Sequence, residues 1–422
     1  MMTTKRNRSK NGLILMKLVS NISWVKLACW VTISAVLVYG AVTNTIANIT
    51  RRKNPDVALA FVRSEPVALT LNAERQFLAS QEPSSLTKVE RWTRRALVQQ
   101  PLNPSAVRLL GYVADVRGKT HEAEKRIRLS ASLSRRDFGA QLWLIEAAVR
   151  DGKNKDALTH YDIALRSVLN SRSVLFPTLT EALADREIRA AFVPYVRAAP
   201  NWMPAFLYDA IATTDSPENI AAVLMSAGKL PAGKDYRAVP VSLLYSLAAK
   251  SKFDAFQQYY TSLSGASLET LNSVGLTSAT VNLRYAAAGW QILDAAAVGG
   301  GFAEKEVPGQ FRFNAFAGSG ERGAIMHKYL FLAPGNYRLF VEHKAVESAP
   351  DANAEWIVQC LSNQTATGIG TAMVPIREGT FTAQTEFTVA PGCPAQLLLL
   401  RAAGGSGQSG AEFTVERITL GR

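Results

Sequence analysis

The stretch FLAPGNYRLFVEHK, Phe331–Lys344, decides how the second half of this chain is read. Ala-Pro-Gly-Asn stands between two apolar runs, and proline and glycine at these places are turn chemistry, so the stretch predicts a β-hairpin or β-arch. After the turn the residues alternate: Tyr337, Leu339 and Val341 share one face, and Arg338, Phe340 and Glu342 the other. The same grammar continues outward in both directions. Strands are predicted near 310–316, 324–332, 336–345, 354–361, 380–389, 395–401 and 411–420, separated by clusters such as GSGERG, ESAPDAN, APGCP and AGGSGQSG. So many short strands in so few residues predict an antiparallel β-sandwich, jelly-roll-like, over 300–422. In EWIVQC, Trp356, Val358 and Cys360 fall on one face. Gly299-Gly300-Gly301 reads as the junction that precedes the strands.

Upstream of that junction the period changes to that of helices. Residues 55–288 are rich in Ala, Leu, Arg and Glu and repeat every 34 positions between 104 and 170. Leu110 recurs as Leu144, Ala114 as Ala148, Gly118 as Gly152, Ala123 as Ala157, Ile127 as Tyr161 and Ser130 as Ala164. Two segments, GKTHEAEKRIRLSAS from Gly118 and GKNKDALTHYDIALRS from Gly152, begin at the turn glycine. A period of this length belongs to a helix–turn–helix unit that buries its face by stacking on a neighbour. In this region the sequence resembles the tetratricopeptide repeat, on Leu110, Gly111 and Ala114 of the first helix and Ala123, Ile127 and Ser130 of the second. Ile145, where Gly111 predicts glycine, and PNWMPAF at 200–206 depart from that pattern. The resemblance implies a right-handed helical solenoid that docks partner proteins.

The apolar run WVKLACWVTISAVLVYGAV, 24–42, predicts a transmembrane α-helix over 23–43, since roughly 20 apolar residues cross a bilayer core. The formal net charge of +13 is concentrated around it: residues 1–53 hold nine Lys/Arg and no acid, whereas 301–422 hold ten Lys/Arg against eleven acids. Lys5, Arg6, Arg8, Lys10, Lys17 and Lys26 precede Arg51, Arg52 and Lys53, a bias that places a basic tail, 1–22, in the cytoplasm and the remainder across the membrane. The competing expectation is a cleaved signal peptide. The predicted setting is a bacterial inner membrane, spanned once, with the bulk of the chain in the periplasm. In that oxidising space Cys360 and Cys393 are expected to form a disulfide, and the topology disfavours a nucleic-acid partner.

Twelve Lys/Arg lie between 88 and 136. Arg91, Arg94, Arg95, Arg108, Arg117, Arg126 and Arg128 are candidates for an anionic-partner surface, weighed against a solvated outer helix face. Catalytic grammar is sparse. His121, His160, His327 and His343 show no metal-ligand spacing, and neither a nucleophile elbow nor a phosphate-cradling glycine loop occurs. The chain is therefore expected to hold no cofactor or metal and to be no enzyme. The pattern Leu332, Pro334, Gly335, Tyr337, Leu339 resembles jelly-roll carbohydrate-binding modules, which implies a polysaccharide ligand. Sugar binding there requires exposed aromatic rings. Of Phe311, Phe313, Phe316, Tyr329 and Trp356, alternation predicts most in the core. Together the two resemblances imply an envelope scaffold, working with an inner-membrane or envelope protein in polysaccharide assembly or export. The alternative is a carbohydrate-binding protein acting through its sandwich, and after it a glycan-active enzyme.

Overall fold

A computed structural model describes residues 24–422 apart from Asn282, Asn363, Gln364 and residues 407–409. The predicted cytoplasmic tail lies outside the described residues, as does part of the AGGSGQSG turn. The chain divides into two compact units, with the division between Val168 and Leu169.

In the first unit, α1 (Trp24–Thr50) runs 27 residues, about 40 Å at 1.5 Å per residue. From Lys26 to Thr50 it is long and apolar enough to cross a membrane. Trp30, Val36, Leu37, Val38 and Tyr39 are all exposed, so apolar surface surrounds the helix on every side. Its last turns carry Ala47, which packs with Ala58 and Ala68 of α2 (Pro55–Phe61) and α3 (Pro66–Ala79).

Paired helices follow: α4 (Pro83–Gln99), α5 (Pro104–Val116), α6 (Thr120–Leu133), α7 (Phe138–Arg150) and α8 (Asn154–Ser167). Proline opens α2 to α5, where a missing N–H costs no helical hydrogen bond. The 34-residue period reappears in the backbone. Gly118 and Gly152 take φ of 75° and 69°, the left-handed region that glycine enters without strain. Beyond them the N–H groups of Lys119 and Lys153 donate to Ala114 O at 2.9 Å and Ala148 O at 2.8 Å. Ile127 and Ala123 of α6 then pack with Ala114 of α5 and with Ala140, Trp143 and Leu144 of α7.

A buried ion network ties α3, α5 and α7. Arg108 is only 7% exposed; its Nη2 donates to Glu74 Oε1 at 2.9 Å, and its Nε lies 2.8 Å from Asp137 Oδ1. Burial alone would lower the arginine pKa, but Asp137 and Glu74 hold it above its ordinary value. Arg108→Ala is expected to destabilise this unit by about 3 kcal/mol, because it leaves the buried Asp137 carboxylate without its cation. Arg94→Ala, in an exposed pair with Glu90, is expected to cost less than about 1 kcal/mol. A denaturant titration followed by helix circular dichroism compares the two.

The second unit begins with α9 (Arg172–Ala182), α10 (Arg186–Ala198), α11 (Met203–Thr213), α12 (Pro217–Ala227), α13 (Val239–Ala249) and α14 (Phe253–Ser262). Phe176, Phe192, Trp202 and Phe206 interlock in its interior, with ring centroids 5.4–6.2 Å apart. Two short helices follow among the described residues, α15 (Leu268–Asn272) and α16 (Ser278–Val281), and then ten strands. These are β1 (Gln291–Ile292), β2 (Val298–Glu304), β3 (Phe311–Ala317), β4 (Arg322–Leu330), β5 (Gly335–Ser348), β6 (Asn353–Ser362), β7 (Thr365–Pro375), β8 (Gly379–Val389), β9 (Ala395–Ala403) and β10 (Ala411–Gly421). They form two antiparallel five-stranded sheets, ordered β1-β4-β9-β6-β7 and β2-β3-β10-β5-β8, with one core between them.

The structure decides one open reading of the sequence and revises two. The Ala-Pro-Gly-Asn turn is an arch, because β4 and β5 belong to different sheets. Phe331 at its start stacks on Phe256 of α14, 5.3 Å between centroids, which carries the chain away from a hairpin course. Gly299-Gly300-Gly301 is no junction but the middle of β2. The end of the predicted helical region contributes Val274, Leu276 and Trp290 to the sandwich core, and Phe311 N donates to Leu276 O at 2.8 Å.

Among the residues of that core is a lysine. Lys328 of β4 is fully buried on the same face as Met326 and Leu330, and its Nζ donates to Ala288 O at 2.7 Å. Burial pushes its pKa down to about 7. His343 of β5 is likewise buried; Trp356 Nε1 donates to its Nε2 at 2.9 Å, and burial pushes its pKa down to about 4, so it is neutral.

Cys360 in β6 and Cys393 before β9 are joined as a disulfide, with Cα atoms 5.7 Å apart. It closes 33 residues of chain, and reduction is expected to cost the second unit about 3–4 kcal/mol. Comparing denaturation midpoints of oxidised and of reduced, alkylated protein measures this.

Candidate functional site

The arginines singled out in the sequence do not form one open surface. Arg94 and Arg117 both pair with Glu90, at 2.7 Å each. Arg126 pairs with Glu122 at 2.5 Å and Arg128 with Glu124 at 2.8 Å. Arg108 is buried in its network and presents no charge to a partner. Arg91 and Arg95 are exposed and make no ion pair among the described residues. The excess of arginine is thus largely spent on holding adjacent turns and helices together. Likewise, no group of three His, Cys, Asp or Glu side chains comes together for a metal ion among the described residues.

The outer face of the sheet β2-β3-β10-β5-β8 is different. In β3, FRFNAFA, burial follows the pleat: Phe313, Ala315 and Ala317 are inside, while Arg312, Asn314 and Phe316 stand outside. Two rows of outward residues run across the strands. Gly299, Phe316 and Glu412 are direct neighbours in one, and Gly301, Asn314, Thr414, Lys344 and Thr380 in the next. Phe316 keeps 38% of its surface exposed.

Its seat is made by glycine. A Cβ at Gly299 would lie 3.2 Å from both Cε1 and Cζ of Phe316 and closer still to Asp294 Oδ1, so any side chain there displaces the ring. Gly301 has open space above it, which leaves the sheet low beside Asn314. The resulting depression, ≈ 990 Å³, is lined by Phe316, Arg312, Asn314, Lys344, Glu412 and Thr414 among others.

The polar groups of this face are of two kinds. Glu416 accepts from Lys305 Nζ at 2.8 Å and from Thr414 Oγ1 at 2.9 Å. Burial would raise its carboxyl pKa, but these two hydrogen bonds and the charge of Lys305 hold it below the usual value. Arg312, Asn314, Lys344 and Glu412, by contrast, make no side-chain hydrogen bond or ion pair among the described residues. A flat aromatic surface beside unused donors and acceptors suits a ligand with both apolar C–H faces and hydroxyls. The ring's electron-rich face attracts C–H groups, and the polar side chains fix orientation.

No protein-family model matches the sequence, and no curated protein matches it. Among solved structures, the similar ones include carbohydrate-binding modules. TmCBM61, solved with β-1,4-galactotriose, is 13% identical over 32% of this chain and 88% of that one, with a TM-score of 0.23. A xylan-binding CBM22-1 domain from Paenibacillus barcinonensis is 11% identical over 31% and 84%, with a TM-score of 0.23. The enzymatically active domain of bacteriophage CBA120 tailspike protein 4 is 10% identical over 31% of this chain but only 19% of that one, with a TM-score of 0.24. With TM-scores below 0.5, these likenesses assign no ligand to this chain.

Of the five aromatic residues weighed in the sequence, the structure puts Phe313 and Trp356 fully in the core and Phe311 against it. Tyr329 lies on the opposite sheet, within 6.0 and 6.2 Å of Phe253 and Phe256. Only Phe316 of the five stands open on the polar face. The signal was present in the sequence: Phe316 shares the parity of Arg312 and Asn314, not that of Phe311 and Phe313. Gly299 and Gly301 were misassigned because a glycine triplet reads as a linker when the strand partner that explains it is not known.

Proposed function

We propose that this is a membrane-tethered carbohydrate-binding protein whose two-sheet module holds a glycan on the outer face of β2-β3-β10-β5-β8. Phe316 stacks on a sugar ring. Asn314, Arg312, Lys344 and Glu412 hydrogen-bond the hydroxyls on either side. The observation that carries this reading is the exposed Phe316 ring on Gly299, bordered by Arg312, Asn314, Lys344 and Glu412, which make no side-chain hydrogen bond or ion pair among the described residues. The module acts by binding, not by catalysis. Its setting is the periplasmic side of an inner membrane, reached through α1, where the tetratricopeptide-like helix pairs dock an envelope protein concerned with polysaccharide assembly or export.

The test is calorimetric titration of the detergent-solubilised full chain against neutral and acidic oligosaccharides of different linkage. Saturable heat with at least one glycan, without release of new reducing ends, is expected. No heat across the panel counts against the proposal, and release of reducing ends replaces it with the enzyme.

A further inference from the structure

A second depression lies in the second unit, where the loop between α12 and α13 faces residues after α14. It measures ≈ 800 Å³, within the range of about 300–1,000 Å³ typical of small-ligand sites and far more than one small ion needs. Lys229, Lys234, Arg237 and Arg284 are among its lining residues, and no carboxylate is. All four are exposed, and none forms an ion pair among the described residues; Arg284 lies over the Tyr285 ring at 5.6 Å. Asp235 does not line the cavity, although burial and, second to it, the charge of Asp235 raise the pKa of the Tyr236 hydroxyl. Tyr236 is 9% exposed, and its hydroxyl is buried with no hydrogen-bond partner among the described residues. Four cations without an ion-pair partner among the described residues line one cavity, so an anion seated there meets positive charge from several side chains. The arginines at 91–128 offer the contrast, since most of them have carboxylate partners of their own.

We propose that this cleft binds the anionic substituents of an acidic sugar chain, with Arg237 and Arg284 as the main carboxylate contacts and Lys229 and Lys234 at its mouth. The cleft shares no residue with the Phe316 face. Only the choice of a sugar as carrier of the charge rests on the glycan-binding reading.

The experiment titrates the full chain in detergent with oligogalacturonate, with inorganic phosphate alone, and with a neutral oligosaccharide that the wild type binds. The proteins are the wild type, the double variant R237Q/R284Q and F316A, with thermal melts confirming that the exposed substitutions leave the fold intact. The double variant is expected to lose about tenfold or more in affinity for oligogalacturonate and to keep its affinity for the neutral sugar. Wild-type binding of oligogalacturonate is expected to weaken as salt rises. Unchanged oligogalacturonate affinity in R237Q/R284Q overturns the proposal. So does phosphate that binds as tightly as oligogalacturonate and displaces it, which marks a small-anion site only. Loss of neutral-sugar binding in F316A bears on the sheet face alone, so the two sites fail or stand separately.

Discussion

Replacing Lys328 by methionine is expected to stabilise the second unit at neutral pH and to remove a pH dependence that the wild type carries. The ammonium is fully buried in the sandwich core with one backbone carbonyl, Ala288 O, as its partner. Burial depresses the folded-state pKa to about 7, against 10.5 for the ordinary side chain. Below pH 7 both states hold the proton, and the desolvation cost is present in full. Between pH 7 and pH 10.5 the unfolded state binds a proton that the folded state does not. Raising the pH through this window therefore favours the folded state, by about 1.4 kcal/mol per unit and about 5 kcal/mol in total. Methionine keeps the volume and carries no charge, although it leaves Ala288 O without its donor, a cost of about 1–2 kcal/mol. The expected net gain at pH 7 is about 3 kcal/mol. Denaturant unfolding of wild type and K328M from pH 6 to 9.5 is the measurement. A stability difference that shrinks steadily above pH 7 supports the buried, depressed lysine, and one that is constant with pH contradicts it.

Phe316→Ala is expected to weaken glycan binding roughly 30-fold while leaving the fold untouched. The side chain is 38% exposed and faces away from the core, so truncation opens no interior cavity. The loss on binding is the stacking surface, about 2 kcal/mol or roughly 30-fold in Kd. Gly299→Ala is expected to weaken binding as well, because its Cβ would intrude on the ring that must lie flat. Calorimetric titration of both variants with a glycan that the wild type binds checks this. An unchanged Kd for F316A would show that the ring is not the platform.

The elements most legible in the sequence were those with a strong period and a one-sided burial. Leu339 and Val341 alternate with Arg338, Phe340 and Glu342 and are buried as their parity requires. The strand β7 is hard to read in the sequence because TATGIGTAMVP is an edge strand whose side chains are mostly exposed, and only Ala372, Ile369 and Val374 of it meet the core. Two glycines within it, Gly368 and Gly370, weaken the signal further. The start of the sandwich was placed too late for a related reason. Val274, Leu276 and Trp290 are apolar residues separated by short helical turns, and only the core they enter distinguishes them from another repeat helix. The Cys360–Cys393 pairing rested on compartment and count, and in the structure the two chain segments lie close enough to be bridged. Long-range charge was the least legible feature. Arg108 meets Glu74 across 34 residues and Asp137 across 29, partners that only the stacking of the helices supplies.

The central claim is that a sugar lies on the outer face of β2-β3-β10-β5-β8. Hydrogen–deuterium exchange of the full chain, with and without a saturating oligosaccharide that it binds, tests this most directly. New protection is expected in β2, β3 and β10, within 299–316 and 411–416, with little change in β7 or β9. Protection confined to the other sheet or to the helical segments, with 299–316 unaffected, would contradict it.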